Sequence, residues 1–405
     1  MFDTAVRKPA ASVSLKKQRE IFAFAANEQI ELADALSHFG KSLDDLVYEQ
    51  SRKQVWTGGP PRSLEDFNGS RHHIPMVSFF TGCGGIDLGF EAAGFAHVAA
   101  FEFNELFCKT LRKNRPEWKV FGPPTDAGDV SKVSEVIAAL ESIIPVNFEG
   151  IFAGGPPCQP FSIASNQRFS KSGANFKRVG FEHEKNGNLL FDYVSVIKHF
   201  RPACFLIENV PGLRDLDGGE QLSAAIKDLR KAGYEVEKPT VLNAADYSVP
   251  QFRDRLFVVG TRTNRSIIFP TPDEMQYGAG SVLFQKQGQA PNTETRSHKL
   301  GSVQRYARLD YGQRDQLGRV DRLSPCRPSK TVIAGGTNGG GRSHLHPEIP
   351  RTLSVRECAR LQTFPDNYTF VGPTARQFTQ VGNAVPPVLA AQLGLSLARS
   401  IFGVN

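Results

Sequence analysis

The fold is decided by the stretch GIFAGGPPCQP at residues 150–160, where an apolar run ends abruptly in glycines and prolines. Apolar runs of about four to eight residues bounded by turn residues are typical of buried β-strands. Amphipathic, helix-like segments alternate with such runs, and this alternation predicts an α/β fold whose parallel sheet is covered on both faces. The other runs are MVSFF at 76–80, HVAAFEF at 97–103, ACFLIENV at 203–210 and RLFVVGT at 255–261.

The composition is that of an ordinary folded protein. Of 405 residues, 40% are hydrophobic and 22% are charged, which excludes fibrous, collagen-like and strongly acidic low-complexity classes. No apolar run approaches the roughly 18 residues that a membrane span needs, and residues 1–20 lack the apolar core of a secretion signal. The sequence therefore predicts a cytoplasmic protein with no membrane partner.

Cysteine spacing and charge narrow the possible partners. The six cysteines form no CxxC pair, so we expect reduced thiols, with no zinc ribbon, no other metal site and no disulfide scaffold. The net charge is +7, and most of the surplus is local. Residues 296–330 contain nine Lys or Arg against three Asp, a net charge of +6, so a polyanion is a plausible partner.

Changes of pattern along the chain predict four segments. Residues 1–74 read as a helical extension and linker, with a packing or oligomerisation role. Residues 75–261 carry the strand and helix alternation. Residues 262–350 are rich in Gly, Gln, Arg, Ser and Thr and predict a smaller, irregular domain. Residues 351–405 contain two further predicted helices.

Polar residues follow the first strands, at the sheet edge where α/β folds bind ligands. TGCGG at residues 81–85 is a glycine loop that lets backbone amides approach a ligand at a helix N-terminus. Glu102 follows the second strand, where such folds hold a ribose, and a nicotinamide cofactor would fit this pair equally well. Asp129 suits an adenine amino group or a ribose, although alone it is more often a turn or N-cap residue.

The later strand ends carry candidates for catalysis. A lone cysteine is usually a buried structural residue, but the prolines around Cys158 restrict the backbone and aim its thiol at the sheet edge. Glu208 follows five apolar residues, so we expect a desolvated carboxyl with a raised pKa. Arg253 and Arg255 fall on one face of an extended segment, suited to a carboxylate, a phosphate or the lining of a cationic pocket.

Taken in order, the motifs GxGG, PPCQP, ENV, QFRDR and GNAVPP (residues 382–387) closely resemble the cytosine-5 DNA methyltransferase family. The resemblance covers roughly residues 75–262 and 325–405. It implies a Rossmann-like class I methyltransferase sheet at 75–261 and a target-recognition domain at 262–350. It also implies that residues 351–405 return to the catalytic domain.

The resemblance implies a mechanism in which Cys158 adds to carbon 6 of a cytosine flipped out of duplex DNA. Glu208 matches the acid that contacts the base, and Arg253 and Arg255 match the arginines that hold it. Residues 161–188 match the mobile catalytic loop. The DNA contacts implied by position are Gln159, Ser162 and Thr331.

The resemblance also implies S-adenosylmethionine as cofactor. Two positions depart from the usual pattern, since the first motif reads SFFTGCGG rather than DLFAGxGG and Phe103 replaces a frequent Trp. The first motif keeps its phenylalanine and its glycines, and Phe103 is still aromatic. The implied cofactor contacts are Phe80, Gly82, Gly84, Gly85, Glu102, Phe103, Asp129, Val130, Pro157, Leu189 and Asn383.

The expected setting is a monomeric bacterial modification enzyme acting on double-stranded DNA, with a separately acting restriction endonuclease left open as a partner. An RNA cytosine-5 methyltransferase is the alternative within the same chemistry. The basic insertion between the QFRDR and GNAVPP motifs favours duplex DNA over RNA. A nicotinamide-dependent oxidoreductase would leave Cys158 and Glu208 without a role. A catalytically silent DNA-binding regulator is the remaining alternative.

Overall fold

The computed structural model describes residues 12–49, 53–67, 72–125, 128–157, 189–285, 288–334 and 344–404. The helices are α1 Leu15–Asn27, α2 Leu32–His38, α3 Gly85–Ala92, α4 Glu105–Asn114, α5 Val133–Glu141, α6 Leu189–Phe200, α7 Glu220–Lys231, α8 Gly280–Leu283, α9 Leu300–Tyr306, α10 Val355–Leu361, α11 Thr374–Asn383 and α12 Pro387–Leu397. Short 3-10 segments lie at Leu43–Asp45, Leu64–Phe67, Pro211–Gly219 and Ala244–Asp246, and a π-helical turn at Ala398–Phe402.

Eight strands form a central sheet in the order β3-β2-β1-β4-β5-β8-β6, with β7 pairing to β8. The strands from β1 to β5 pair in parallel, and the strand order reverses between β1 and β4. Ligands in such sheets bind at this reversal, beyond the carboxyl ends of the strands. The sheet strands are β1 Pro75–Phe79, β2 Ala96–Phe101, β3 Val120–Phe121, β4 Ile151–Gly154, β5 Cys204–Asn209, β6 Glu235–Val236, β7 Thr240–Asn243 and β8 Asp254–Thr261.

Strand β8 corrects the prediction of a wholly parallel sheet, because it runs antiparallel to both β5 and β7. The segment 244–253 between β7 and β8 is shorter than the dozen or so residues that a parallel crossover needs. As a result β8 begins where β5 ends, and Asn209 of β5 lies opposite Leu256 of β8. Residues at the start of β8 therefore reach the ligand-binding edge of the sheet.

Helices cover the sheet on opposite faces. Right-handed connections place α3 and α4 on one face and the helices that follow β3 and β4 on the other. Strand alternation in β1 agrees with this arrangement. Phe79 joins the large apolar core with α5, α6 and α7, whereas the neighbouring Ser78 donates a hydrogen bond to Asp87 of α3 at 2.5 Å. The predicted α/β class is confirmed.

The chain divides into two compact units whose boundaries differ from the predicted segments. The catalytic unit contains the central sheet and comprises Leu64–Ala244, Asp254–Pro272 and Ala384–Asn405. The second unit comprises Met1–Ser63, Ala245–Arg253 and Asp273–Asn383. Its small sheet has the order β11-β10-β9, with β9 Arg314–Asp315, β10 Val320–Arg322 and β11 His344–Leu345.

Residues 1–63 of the predicted N-terminal extension (1–74) belong to the second unit, whereas residues 64–74 belong to the unit that contains the central sheet. Ile21, Phe22 and Leu36 form a buried core with Val303 of α9. The predicted segment 351–405 is also divided, because residues up to Asn383 belong to the second unit and only Ala384 onward to the catalytic unit. These assignments reflect buried contacts between distant stretches, which the local pattern of a sequence does not contain.

One helical stretch, Thr374–Phe402, is long and apolar enough to pass a simple test for a membrane span. Its most apolar window is 83% buried inside the protein, as expected for a core helix. The stretch is interrupted at Pro386 and Pro387, where α12 begins. Length and composition alone are therefore weak evidence for a membrane segment here.

Candidate active site

Glu102 joins the glycine loop to the helix that follows β2. Its Oε2 accepts a hydrogen bond from the backbone N–H of Gly82 at 2.7 Å, and its Oε1 accepts one from Asn104 at 2.6 Å. The residue is only 7% exposed, and burial raises the pKa of its carboxyl to about 7, although the two backbone donors oppose that shift. The carboxylate predicted to bind a ribose thus lies directly beside the glycine loop.

Two aromatic residues lie next to this carboxylate and loop. Phe80 has a φ of 52°, a left-handed conformation that costs a bulky residue on the order of 1–3 kcal/mol and is typical of functional sites. Its ring packs edge-on against Tyr193, with 6.1 Å between ring centroids. Phe103, which follows Glu102, leaves 69% of its surface exposed. Both residues were predicted cofactor contacts, and Phe103 offers an aromatic face for stacking.

The glycine loop packs against the start of α12, which follows the GNAVPP motif. A Cβ atom built on Gly85 would lie 2.2 Å from the carbonyl oxygen of Val385, so only glycine fits at this position. One turn further along α3, Gly89 is in similarly close contact with Pro387. The last motif of the sequence therefore returns to the first one, as the resemblance implied.

The remaining predicted cofactor contacts differ from one another in burial and in hydrogen bonding. Asp129 Oδ1 accepts hydrogen bonds from the backbone N–H and the hydroxyl of Ser131, at 3.0 and 2.7 Å, so this side chain forms a turn. Val130 is buried in the main apolar core. Leu189, half-buried, begins α6, and Asn383 is exposed at the end of α11 in the second unit.

Glu208 and Arg255 form an ion pair at the edge where β5 ends and β8 begins. Arg255 Nε lies 2.8 Å from Glu208 Oε1, and each side chain is 13% exposed. Burial lowers the pKa of Arg255, and the neighbouring carboxylates of Glu208 and Asp254 oppose that shift. The antiparallel course of β8 explains the pair, since Arg255 is the second residue of its strand and Glu208 is the last but one of its own.

The loop that leads to Cys158 is held at the same edge. Asn209 donates a hydrogen bond from Nδ2 to the carbonyl oxygen of Pro156 at 2.9 Å. A Cβ on Gly155 would approach Glu208 Oε2 to 2.7 Å, so this glycine lets the loop pass close to the carboxylate. Pro157 is exposed at the end of this described stretch. Sequence reasoning assigned no role to Asn209, although its place directly after Glu208 was a usable signal.

Arg253 has different partners from Arg255. Its guanidinium donates to the carbonyl oxygens of Gly382 at 2.8 Å and Val332 at 3.3 Å, all within the second unit. The residue is 1% exposed, and the chain passes from one unit to the other directly after it. The prediction that both arginines hold the base remains a prediction, since in the described residues Arg253 links backbone segments.

Thr331 also makes a structural contact, donating from Oγ1 to the carbonyl oxygen of Phe252 at 2.8 Å. Sequence reasoning missed the buried neighbour Gln251, whose Oε1 accepts from Val332 N at 2.7 Å and whose Nε2 donates to Gln362 Oε1 at 2.9 Å. The sequence signal for Gln251 was its place at the start of the QFRDR motif, which also contains Arg253 and Arg255. The predicted nucleophile Cys158 and the predicted DNA contacts Gln159 and Ser162 lie outside the described residues.

The folded chain resembles solved structures along most of its length. A protein encoded within an Escherichia coli prophage superposes with a TM-score of 0.65 at 23% identity, covering 81% of this chain and 99% of the other. A methyltransferase from Entamoeba histolytica gives a TM-score of 0.57 at 17% identity, over 80% and 98% of the two chains. These likenesses concern the fold.

Sequence relatives are more informative about chemistry. A Type II methyltransferase of Psychrobacter is 31% identical over 360 residues, which is 80% of this chain and 79% of that protein. A Type II methyltransferase of Escherichia coli is 32% identical over 365 residues, 83% of this chain and 81% of that protein. Residues 74–399 match the family model of C-5 cytosine-specific DNA methylases. The chain therefore belongs to the C-5 cytosine-specific DNA methylases and is a bacterial type of DNA (cytosine-5-)-methyltransferase, as its motif order predicted.

Proposed function

We propose that this enzyme transfers a methyl group from S-adenosylmethionine to carbon 5 of a cytosine in a specific duplex DNA sequence, through a covalent bond between Cys158 and the base. The observation that carries the proposal is the Glu208–Arg255 ion pair at the sheet edge. The loop that runs directly into Cys158 is fastened to this edge by Asn209. The described part of this loop, which ends at Pro157, therefore lies on the side of the sheet where Glu208 lies.

The residues around the glycine loop fit an adenosyl cofactor. Glu102 offers carboxylate oxygens to ribose hydroxyls, and the exposed ring of Phe103 offers a stacking surface for a purine. Backbone amides of the glycine loop and the carboxylate of Asp129 supply further polar contacts. When bound, S-adenosylmethionine supplies the methyl group that carbon 5 accepts.

The protein's own groups account for the remaining chemistry. The Cys158 thiolate adds to carbon 6 of the flipped cytosine, which turns carbon 5 into a nucleophile. Glu208 holds the base at N3 and its exocyclic amine, while Arg255 fixes the orientation of that carboxyl. After methylation the proton on carbon 5 leaves, carbon 6 releases the sulfur, and the thiolate is regenerated.

Three of the five described cysteines, Cys108, Cys204 and Cys358, are poor candidates for the nucleophile. Burial raises the pKa of the Cys108 thiol to about 12, with the Glu102 carboxylate adding to the shift. Burial also raises the pKa of Cys204 and Cys358. A thiolate is the reactive species, so these buried thiols are unsuited to attack on cytosine. We propose Cys158, which follows Pro156 and Pro157 in the sequence, as the nucleophile.

The second unit supplies the charge that DNA binding requires. The basic segment 296–330 lies within it, and two acids of that segment are already paired. Asp315 is buried against Arg305, and Asp321 against Arg314 and Lys330. We assign target recognition to this unit. Lys and Arg there contact phosphates, and other side chains read base edges.

The biological setting that we propose is restriction-modification, with the enzyme acting as a cytoplasmic monomer that protects host DNA. Type II methyltransferases are the relatives of this chain, which supports that setting. A cognate endonuclease would act separately on the same sequence. Bisulfite sequencing of DNA from cells expressing this chain would identify the modified cytosine and its context.

The decisive experiment uses DNA whose target cytosine carries fluorine at carbon 5. The fluorine cannot leave as a proton does, so the covalent adduct accumulates and is visible on a denaturing gel. We expect an adduct with the native enzyme and none with Cys158→Ser, which still binds DNA. Cys358→Ala, which removes a buried thiol, is the matched control and should still form the adduct.

Three outcomes would contradict the proposal. Turnover surviving in Cys158→Ser would exclude this nucleophile, and failure of the native enzyme to form an adduct would favour a catalytically silent regulator. The third outcome concerns the RNA alternative. Matched DNA and RNA substrates with labelled cofactor separate it from the proposal, and label appearing mainly in RNA would overturn the duplex DNA assignment.

A further inference from the structure

A polar cleft of about 510 Å³ lies in the second unit. One of its lining residues, Gln54, comes from a part of the chain that precedes the stretch matched by the family model, residues 74–399. The others come from the basic segment 296–330. The lining residues are Gln54, Tyr311, Gly312, Ser324, Cys326 and Arg327.

Gln54 is held in this cleft by two contacts of its own and by one of its neighbour Val55. Its Oε1 accepts a hydrogen bond from the hydroxyl of Ser324 at 2.6 Å, and its backbone N–H donates to the hydroxyl of Tyr311. The thiol of Cys326 donates to the carbonyl oxygen of Val55 at 3.4 Å. The side-chain oxygen therefore has a partner within the protein, and Gln54 is an exposed residue.

Tyr311, which Gln54 contacts, is itself held within the unit. The guanidinium of Arg322 lies between the rings of Tyr48 and Tyr311, 3.5 and 3.9 Å from their centroids. The Tyr48 hydroxyl donates to the carbonyl oxygen of His346 at 2.8 Å, and Arg351 pairs with Asp44 at 2.5 Å. A rigid mount of this kind is what base readout needs, because a hydrogen-bonding side chain must keep its geometry.

We propose that this cleft receives the edge of one base pair of the recognition sequence in the major groove, with Gln54 and Arg327 as the reading residues. The inference rests on the proposed function. Glutamine pairs with adenine through Nε2 and Oε1, and the second lone pair of Oε1 can accept from the adenine amino group beside the Ser324 hydroxyl. Arginine pairs with guanine through two hydrogen bonds. A phosphate site would need a positive charge but no fixed side-chain orientation. Gln54, in contrast, carries no charge, and its side-chain oxygen is held by Ser324. The N-terminal extension thereby becomes part of target recognition.

The test is methylation-context sequencing of cellular DNA after expression of the native enzyme, Gln54→Ala, Gln54→Glu and Arg327→Ala. We expect discrimination at one base position of the site to fall by roughly 5- to 150-fold in Gln54→Ala and Arg327→Ala. Gln54→Glu replaces two donors with acceptors, so preference should shift toward a cytosine amino group. Arg19→Ala, an exposed arginine of α1, is the control for loss of charge and should leave the context unchanged.

Two results would overturn the inference. One is an unchanged methylation context in both alanine variants, with melting temperatures equal to that of the native enzyme. The other is an equal loss of affinity for all DNA sequences with a smaller salt dependence, which identifies a phosphate contact. If the native enzyme methylates no DNA at all, the proposed function fails instead. Adduct formation on fluorinated DNA verifies that each variant retains an intact catalytic unit.

Discussion

Glu102 is the residue whose ionisation should control cofactor binding. Its pKa of about 7 makes it half protonated near neutrality, because burial disfavours the charged form. Ribose hydroxyls need an acceptor, so the ionised form binds more tightly. We expect affinity for S-adenosylmethionine to fall as pH drops below 7, approaching about tenfold per pH unit at the low end. Calorimetric titrations between pH 5.5 and 8.5 measure this.

The matched variant is Glu102→Gln, which cannot ionise. Its affinity should be lower at pH 8 and should change little with pH over the same range. A native enzyme with a flat profile between pH 5.5 and 8.5 would contradict the role assigned to this carboxyl. Melting temperatures at each pH separate a loss of binding from a loss of folding.

Arg255 should matter for stability as well as for catalysis. Arg255→Met leaves the Glu208 carboxylate without its guanidinium at a site where each side chain is only 13% exposed. Breaking a fully buried pair costs about 3–5 kcal/mol, so we expect a cost of about 2 kcal/mol or more at this partly screened site. Urea denaturation measures the change in the free energy of unfolding.

Two comparisons test the origin of that cost. Arg255→Met combined with Glu208→Gln should recover part of the lost stability, because no charge is then left unpaired. Lys109→Met removes an exposed ion pair with Glu105 and should cost less than about 0.5 kcal/mol. Equal losses of stability in Arg255→Met and Lys109→Met would show that the buried ion pair stabilises the fold no more than the exposed one.

At the scale of elements, the contact between α3 and α12 is sensitive to a single methyl group. Gly85→Ala would place its Cβ 2.2 Å from the carbonyl oxygen of Val385, so the two helices must separate. We expect a destabilisation of about 1–3 kcal/mol, together with weaker cofactor binding because the glycine loop begins α3. Calorimetry of unfolding and of cofactor binding provides the two measurements.

The control for this variant is Gly59→Ala. An added Cβ at Gly59 meets nothing within 4 Å, and its backbone is outside the left-handed region. Its stability should change little or rise slightly. If both variants unfold at the same temperature as the native enzyme, α3 and α12 can move apart more easily than the distances between them indicate.

Five of the eight strands of the central sheet could be predicted from sequence, but the short β3, β6 and β7 and the direction of β8 could not. Each of the five is a contiguous apolar run, and Glu102 and Glu208 lie at the ends of two of these runs. Direction depends on which segments meet across the sheet. Arg255 lies at the start of its strand, so in a parallel sheet it would have lain at the opposite edge from Glu208. The ion pair depends on an antiparallel pairing that periodicity does not encode.

For the whole molecule, the clustered positive charge predicts a strong salt dependence of DNA binding. About six phosphate contacts would lower the affinity by roughly 10³-fold between 50 and 200 mM salt, because bound counterions are released. Fluorescence anisotropy with duplex DNA and Cys158→Ser measures binding without turnover. Arg308→Gln, at an exposed site in the basic segment, should reduce the logarithmic slope by about one. A flat response would contradict a DNA-binding role for this segment.

The organisation of the whole chain was the least predictable property. Residues 12–49 read as an independent extension because their helical pattern is followed by a Gly- and Pro-rich stretch. Their partners lie far away in sequence, since Val303 closes the core of α1 and α2 and Arg351 pairs with Asp44. Contacts across some 300 residues leave no trace in local composition.

The alternation of the polypeptide between its two units has a consequence for protein engineering and for divergence among relatives. Three separate stretches build the second unit, to which we assign target recognition, and the first of them is the amino-terminal 63 residues. A chimera that exchanges only residues 273–383 would leave Tyr48 and Asp44 facing foreign surfaces. Transplanting sequence specificity from this enzyme therefore requires moving its amino terminus together with the central region.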